Sequence, residues 1–172
     1  MNADPGTGTG TPASGASPPD PAAVVTGYLA QNPELPSRRV GDGQWIVVLS
    51  GEIRHSIPVA IEMGTRSCTL TSFLLRGPAG PAAAGLHRVL LRKNRDLLRV
   101  RLCLDGDDDV LLVARLPLGD LSESTLDAAL GEMLSVGESS FEALVHLGYP
   151  GVFPPLRRTF DSSGESAGTP VR

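Results

Sequence analysis

The densest chemical group in the sequence is Asp105-Gly106-Asp107-Asp108-Asp109, and Asp at alternate positions is how a calcium-binding EF-hand loop begins. Such a loop also needs glycine at its sixth position and a bidentate glutamate at its twelfth, where this chain has Val110 and Leu116 inside an apolar run. Asp-Gly between two apolar strands is hairpin chemistry, so the segment reads as a turn, with weak cation binding as the alternative. His55, His87 and His146 lie far apart, with no i, i+4 pair or adjacent carboxylate to build a zinc site or orient a general base. They read as surface or partly packed histidines. Cys68 and Cys103 each sit in an apolar segment without a second ligand at metal spacing, which predicts reduced, packed thiols. Ser139-Ser140 lies in a helical pattern and no G-x-S-x-G elbow exists, so a serine hydrolase is not expected. The Thr-Gly pairs of the first residues lack the strand, helix and lysine of a phosphate loop. These readings leave no catalytic residue, no metal and no cofactor to assign.

Arg88, Arg92, Lys93 and Arg95 crowd one segment and either face an acidic partner or form the solvated side of an amphipathic helix, the second being the commoner case. The chain as a whole carries a formal net charge of −4, so it has no general positive field for nucleic acid. No Lys/Arg-rich stretch with an apolar core opens the sequence, and no apolar run approaches the roughly 20 residues that span a bilayer. The expectation is a soluble, cytoplasmic protein without nucleic-acid or membrane partners. At 172 residues, 41% of them hydrophobic, the chain supports one core.

The elements that must position any site follow from periodicity. Residues 1–19 are almost wholly Gly, Pro, Ser, Thr and Ala and read as a disordered tail, as do the polar residues 151–172. Between them, residues 20–150 form one domain. Asp20-Pro21 starts a helix over about 21–32, with Val24, Val25, Tyr28 and Leu29 at helical spacing. A polar stretch through Gly43 leads to a strand at Trp45–Leu49, a second at Ile57–Ile61 and a third at Cys68–Leu75. Pro58 cannot donate a ladder bond, which puts the second strand at an edge or its start at that proline. A helix over about 81–95 follows, then strands at Leu98–Leu104 and Val110–Leu116. Ser122 caps the last helix, Leu121 and Leu126 form a hydrophobic staple, and the apolar stripe runs to Gly148, continuous or split at Gly137. The order α-β-β-β-α-β-β-α predicts an α+β fold, an antiparallel five-stranded sheet with helices on one face.

Several strings resemble the YbjN family of bacterial sensory transduction regulators, in its actinobacterial form. They are Ser72-Phe73-Leu74-Leu75-Arg76, Leu90-Leu91-Arg92-Lys93-Asn94, the alternation from Leu98 to Leu104 with its acidic turn, Leu116-Pro117-Leu118, Leu126 through Gly131, and Phe141 through Tyr149. The likeness covers about residues 44–150, with weaker support from residue 21 onward. It departs from the family between Gly77 and Ala84, where only small residues stand, and after Gly151, where the aromatic, basic ending of longer members is lacking. The resemblance implies a type III secretion chaperone-like fold and a regulatory or chaperone role, with a homodimer by analogy. It brings no catalytic residue.

The functional expectation is therefore a non-enzymatic module that binds another protein or itself. An exposed strand edge and an amphipathic helix are the physical means. The candidate partner-binding residues are Ile57, Val59 and Ile61 on the strand with Pro58, Arg88, Arg92 and Asn94 on the basic helix, and Phe141 on the last helix. A small-molecule sensor or enzyme with an unrecognised pocket, and an inactive structural subunit, are the alternatives.

Overall fold

The computed structural model describes residues 20–152, so both predicted tails lie outside the described residues apart from Gly151 and Val152. The elements are α1 (Pro21–Gln31), β1 (Ser37–Gly41), β2 (Gln44–Leu49), β3 (Ile57–Met63), β4 (Ser67–Leu75), α2 (Pro81–Asn94), β5 (Val100–Leu104), β6 (Val110–Pro117) and α3 (Glu123–Gly148). All six strands form one antiparallel sheet in the order β1-β2-β3-β4-β6-β5. The α+β class holds, with six strands in place of five. The extra strand, β1, is Ser37-Arg38-Arg39-Val40-Gly41, whose residues are nearly all exposed. It has no apolar alternation because neither of its faces is buried, and a turn through Asp42 and Gly43 (φ +64°) joins it to β2.

The helices pack on one side. α3 lies against β4, β5 and β6, α1 packs on α3, and α2 packs on α3 and β5. Alternate residues of each inner strand meet them: Trp45, Val47 and Leu49 of β2, Ile57, Val59 and Ile61 of β3, and Val110, Leu112 and Ala114 of β6 are all buried. α3 is one helix of 26 residues. Ser122 Oγ accepts from Thr125 N–H at 3.2 Å while Thr125 Oγ1 accepts from Ser122 N–H at 2.9 Å, a reciprocal cap. Gly137 does not break the helix. A Cβ there would stand 3.3 Å from Ile57 Cδ1 and 3.6 Å from Leu112 Cδ1, so the missing side chain lets the helix lie directly on the sheet.

β3 is not an edge strand. It pairs with β2 from Ile57 to Glu62 and with β4 from Ala60 to Met63. Pro58 is tolerated because it precedes the first β4 pair: Val48 opposite it donates outward, to Pro36 O at 2.9 Å, so the two face away from each other for bonding. β5 likewise begins at Val100, two residues later than Leu98, because the N–H groups of Leu98 and Arg99 are taken by the Glu132 carboxylate of α3 (2.8 and 2.9 Å).

Candidate functional site

The cross-strand register builds the surface opposite the helices. One row runs across all six strands, Arg38–Ile46–Ala60–Thr71–Val113–Arg101. Beside it stand the pairs Val48–Pro58 and Phe73–Leu111–Cys103 on one flank and Gln44–Glu62–Thr69–Arg115 on the other. No described element covers this face. Its middle is apolar or β-branched, with Phe73 47% exposed, and its two ends are arginine. At the β5 end the surface dips into a concavity of about 690 Å3 lined by Leu98, Leu104, Leu111 and Val113 among Arg99, Arg101 and Arg115, with Asp120 at its margin. Among the described residues the ion pairs are Arg39–Asp42 and Arg95–Asp96, so none of these three arginines is paired with a carboxylate. Arg101 bonds only carbonyls of its own approach, Leu97 and Val100.

Both edges of the sheet are blunted. β1 shows Arg38 and Arg39 to solvent, follows Pro36 and carries an irregularity between Arg39 and Gly41, all of which oppose pairing with another strand. β5 has its outer backbone occupied at Leu102 by the Asn94 side chain.

The predicted binding residues scatter in this frame. Ile57, Val59 and Ile61 are each 0% exposed in the core on the helix side of the sheet, Ile57 beside Gly137 of α3, which corrects the expectation that their side chains offer a docking surface. Arg88 and Arg92 are exposed on α2, on the solvent side of that helix. Asn94 is committed to the sheet. Phe141 is half-buried, with the Arg54 guanidinium 4.7 Å above its ring, and it lines an apolar groove. The Asp cluster is a turn: Asp105 Oδ1 accepts from the N–H groups of Asp107 (2.9 Å) and Asp109 (3.0 Å), and Asp109 accepts from Gly77 N–H. His55 lies in the β2–β3 loop, His87 on α2 and His146 on α3. Cys68 points to the helix side, where burial pushes its thiol up to about 11, and Cys103 lies on the open side.

One anchoring residue had no signal in the sequence. Glu138 of α3 accepts from the backbone N–H groups of Glu52 (2.8 Å), Ile53 (2.8 Å) and Arg54 (2.7 Å), holding the loop between β2 and β3. Those bonds hold its carboxyl below the usual carboxylate range. A Cβ on Gly51 would collide with that carboxylate, so a larger residue there would have to push it off its three N–H donors.

Fold and surface together define a small α+β module with one uncovered sheet face. The chain belongs to the YbjN family, whose model matches residues 21–146 under the description "Putative bacterial sensory transduction regulator". An uncharacterized protein of Mycobacterium leprae is 34% identical over 104 residues, and one of Mycobacterium tuberculosis H37Rv is 35% identical over the same length. Each match covers 60% of this chain and 56% of the relative, little more than half its length. Among solved structures, the Yersinia pestis type III secretion chaperone SycH, in complex with a fragment of YscM2, is similar with a TM-score of 0.43 and 15% identity. That likeness covers 70% of this chain and 98% of that one. No described helix is long and apolar enough to cross a membrane.

Proposed function

We propose that this chain is a non-enzymatic protein-binding module, regulatory or chaperone-like in role, that docks a segment of another protein on its uncovered sheet face. The observation that carries the reading is the row Ile46–Ala60–Thr71–Val113, apolar or β-branched across four neighbouring strands and ending in Arg38 and Arg101. A contiguous apolar patch rimmed by polar groups is a recognised mark of an interaction site. The arginines choose the partner. Arg38, Arg99, Arg101 and Arg115 stand against Glu62 and Asp120 on a chain that is otherwise acidic, so the face fits an apolar segment flanked by Asp or Glu. A second copy fits less well, because stacking two such faces sets arginine against arginine. Blunted edges favour stacking on the face over addition of a strand. Two free cysteines on opposite sides of the sheet support a reducing compartment, the cytoplasm, as its place.

The test is fluorescence anisotropy with two labelled peptides that share one apolar core, one flanked by glutamates and the other by lysines. Saturable binding of the first only, lost in Val113→Glu with native circular dichroism retained, is the expected result. Equal affinity for both peptides, or none for either, defeats the reading. Sedimentation equilibrium showing a dimer that Val113→Glu dissociates assigns the face to self-association.

A further inference from the structure

β3 and β4 stop pairing at Ala60 and Thr71, yet β4 continues to Leu75 and β3 begins three residues earlier, at Ile57. The strands part there, and β4 turns both Leu74 and Leu75 inward where its register with β6 shifts. The opening leads to a groove of about 470 Å3, walled by Phe73 and Leu75 of β4 and by Phe141 and Val145 of α3. Tyr149 and Val152 complete its lining, and Tyr149 is fixed by donating its hydroxyl to Arg76 O at 2.8 Å. The volume is within the range of small-ligand sites, and the walls are almost wholly apolar.

Among the described residues one charged group lines this groove, and it is Arg54. Its guanidinium lies over the Phe141 ring, and its Nη1 is buried with no hydrogen-bond partner. Buried polar donors are nearly always paired, and burial of this one already disfavours its charge. Glu138 of α3 favours that charge from a distance, but its carboxylate is engaged by three backbone N–H groups and forms no ion pair with the guanidinium. A cationic fork held on an aromatic ring in an apolar trench is complementary to one ligand class: a single carboxylate on an apolar body. A doubly charged phosphate would lack a second cation, and a neutral lipid would leave Arg54 unpaired.

We infer that the groove between β4 and the C-terminal half of α3 binds an apolar aliphatic monocarboxylate, its head on Arg54 and its chain between Phe73, Phe141 and Tyr149. The groove shares Phe73 with the uncovered face but none of the Ile46–Ala60–Thr71–Val113 row that carries the docking reading, and each stands without the other.

Calorimetric titration of the full chain with decanoate, decanol and decyltrimethylammonium tests it, with 15N NMR to locate the perturbed residues. Decanoate is expected to bind saturably, decanol about ten-fold or more weakly, and the cation not at all. Arg54→Met should bring decanoate down to the level of decanol while leaving decanol unchanged, and Arg54→Lys should fall between. Arg54→Met also removes the guanidinium from the Phe141 ring, so its NMR spectrum is used to verify that the fold is kept. Decanol binding as tightly as decanoate, an Arg54→Met chain indistinguishable from the parent, or no binding of decanoate overturns the proposal.

Discussion

The side-chain amide of Asn94 meets the peptide of Leu102 twice, donating from Nδ2 to the carbonyl at 2.9 Å and accepting from the N–H at 2.8 Å. It stands where the backbone of a seventh strand would stand, and it ties the end of α2 to the outer side of β5.

Replacing Asn94 with Ala should therefore do two things. It removes two hydrogen bonds to a half-buried peptide, a loss of about 1–2 kcal/mol measured by urea unfolding. It also frees the β5 edge, so light scattering at high concentration should rise in the variant. Unchanged stability together with unchanged scattering would show that the amide plays neither role.

Glu138 makes stability depend on pH in a definite direction. Its folded pKa lies below the unfolded value near 4.5, chiefly through the N–H groups of Ile53 and Arg54. Such a group contributes stability that is fully present above the unfolded value and is lost as pH falls through the folded one. The urea midpoint of the parent should exceed that of Glu138→Ala by a constant amount from pH 7 down to about 5, and the difference should narrow below that. A difference that widens on acidification would contradict the assigned geometry.

Two glycines of α3 should respond oppositely to a side chain. Gly131 is exposed, and a Cβ added there would meet nothing within 4 Å, so Gly131→Ala should stabilise the helix by about 0.5–1 kcal/mol. Gly137 rests on Ile57 and Leu112, so Gly137→Leu should cost about 1–3 kcal/mol or more through overpacking. Thermal melts of the two variants decide, and a shift of the same sign in both would mean α3 does not lie as close to the sheet as described.

The two thiols report which face of the sheet is open. In the native protein a water-soluble disulfide reagent should titrate Cys103 and spare Cys68, whose thiol is fully buried and pushed up to about 11. The second equivalent should appear on unfolding. Under the docking reading, a saturating glutamate-flanked peptide should slow the reaction of Cys103. Two thiols reacting at one rate in the folded chain would place Cys68 in solvent and dismiss this arrangement.

Where a segment buries one face, its period was readable. The stripe Leu126, Ala129, Leu130 and Met133 gives α3 directly, and Ser122 marks its start because a cap is a local interaction. β1 was not readable, since Arg38 and Arg39 meet solvent on both sides and leave no alternation to detect. Asp42-Gly43 was the one available signal. Pro58 left an edge and a strand start open because a proline cannot show whether its missing donor faces a neighbour or a gap; here the strand starts beside it and the proline faces the gap. The open face was hidden for a different reason: Ile46, Ala60, Thr71 and Val113 lie far apart in sequence, and only the register lines them up. Glu138 and Glu132 were hidden too, because each bonds backbone more than thirty residues away.

The sealed rims of the sheet have a consequence for how the molecule can grow. Pairing at a free rim can repeat without end, each newcomer exposing a fresh rim, and that is the route to fibres. Contact across a flat side is finite, since the first occupant hides the surface it uses. With Arg38, Arg39 and Pro36 opposing one rim and Asn94 occupying part of the other, this fold favours the self-terminating way.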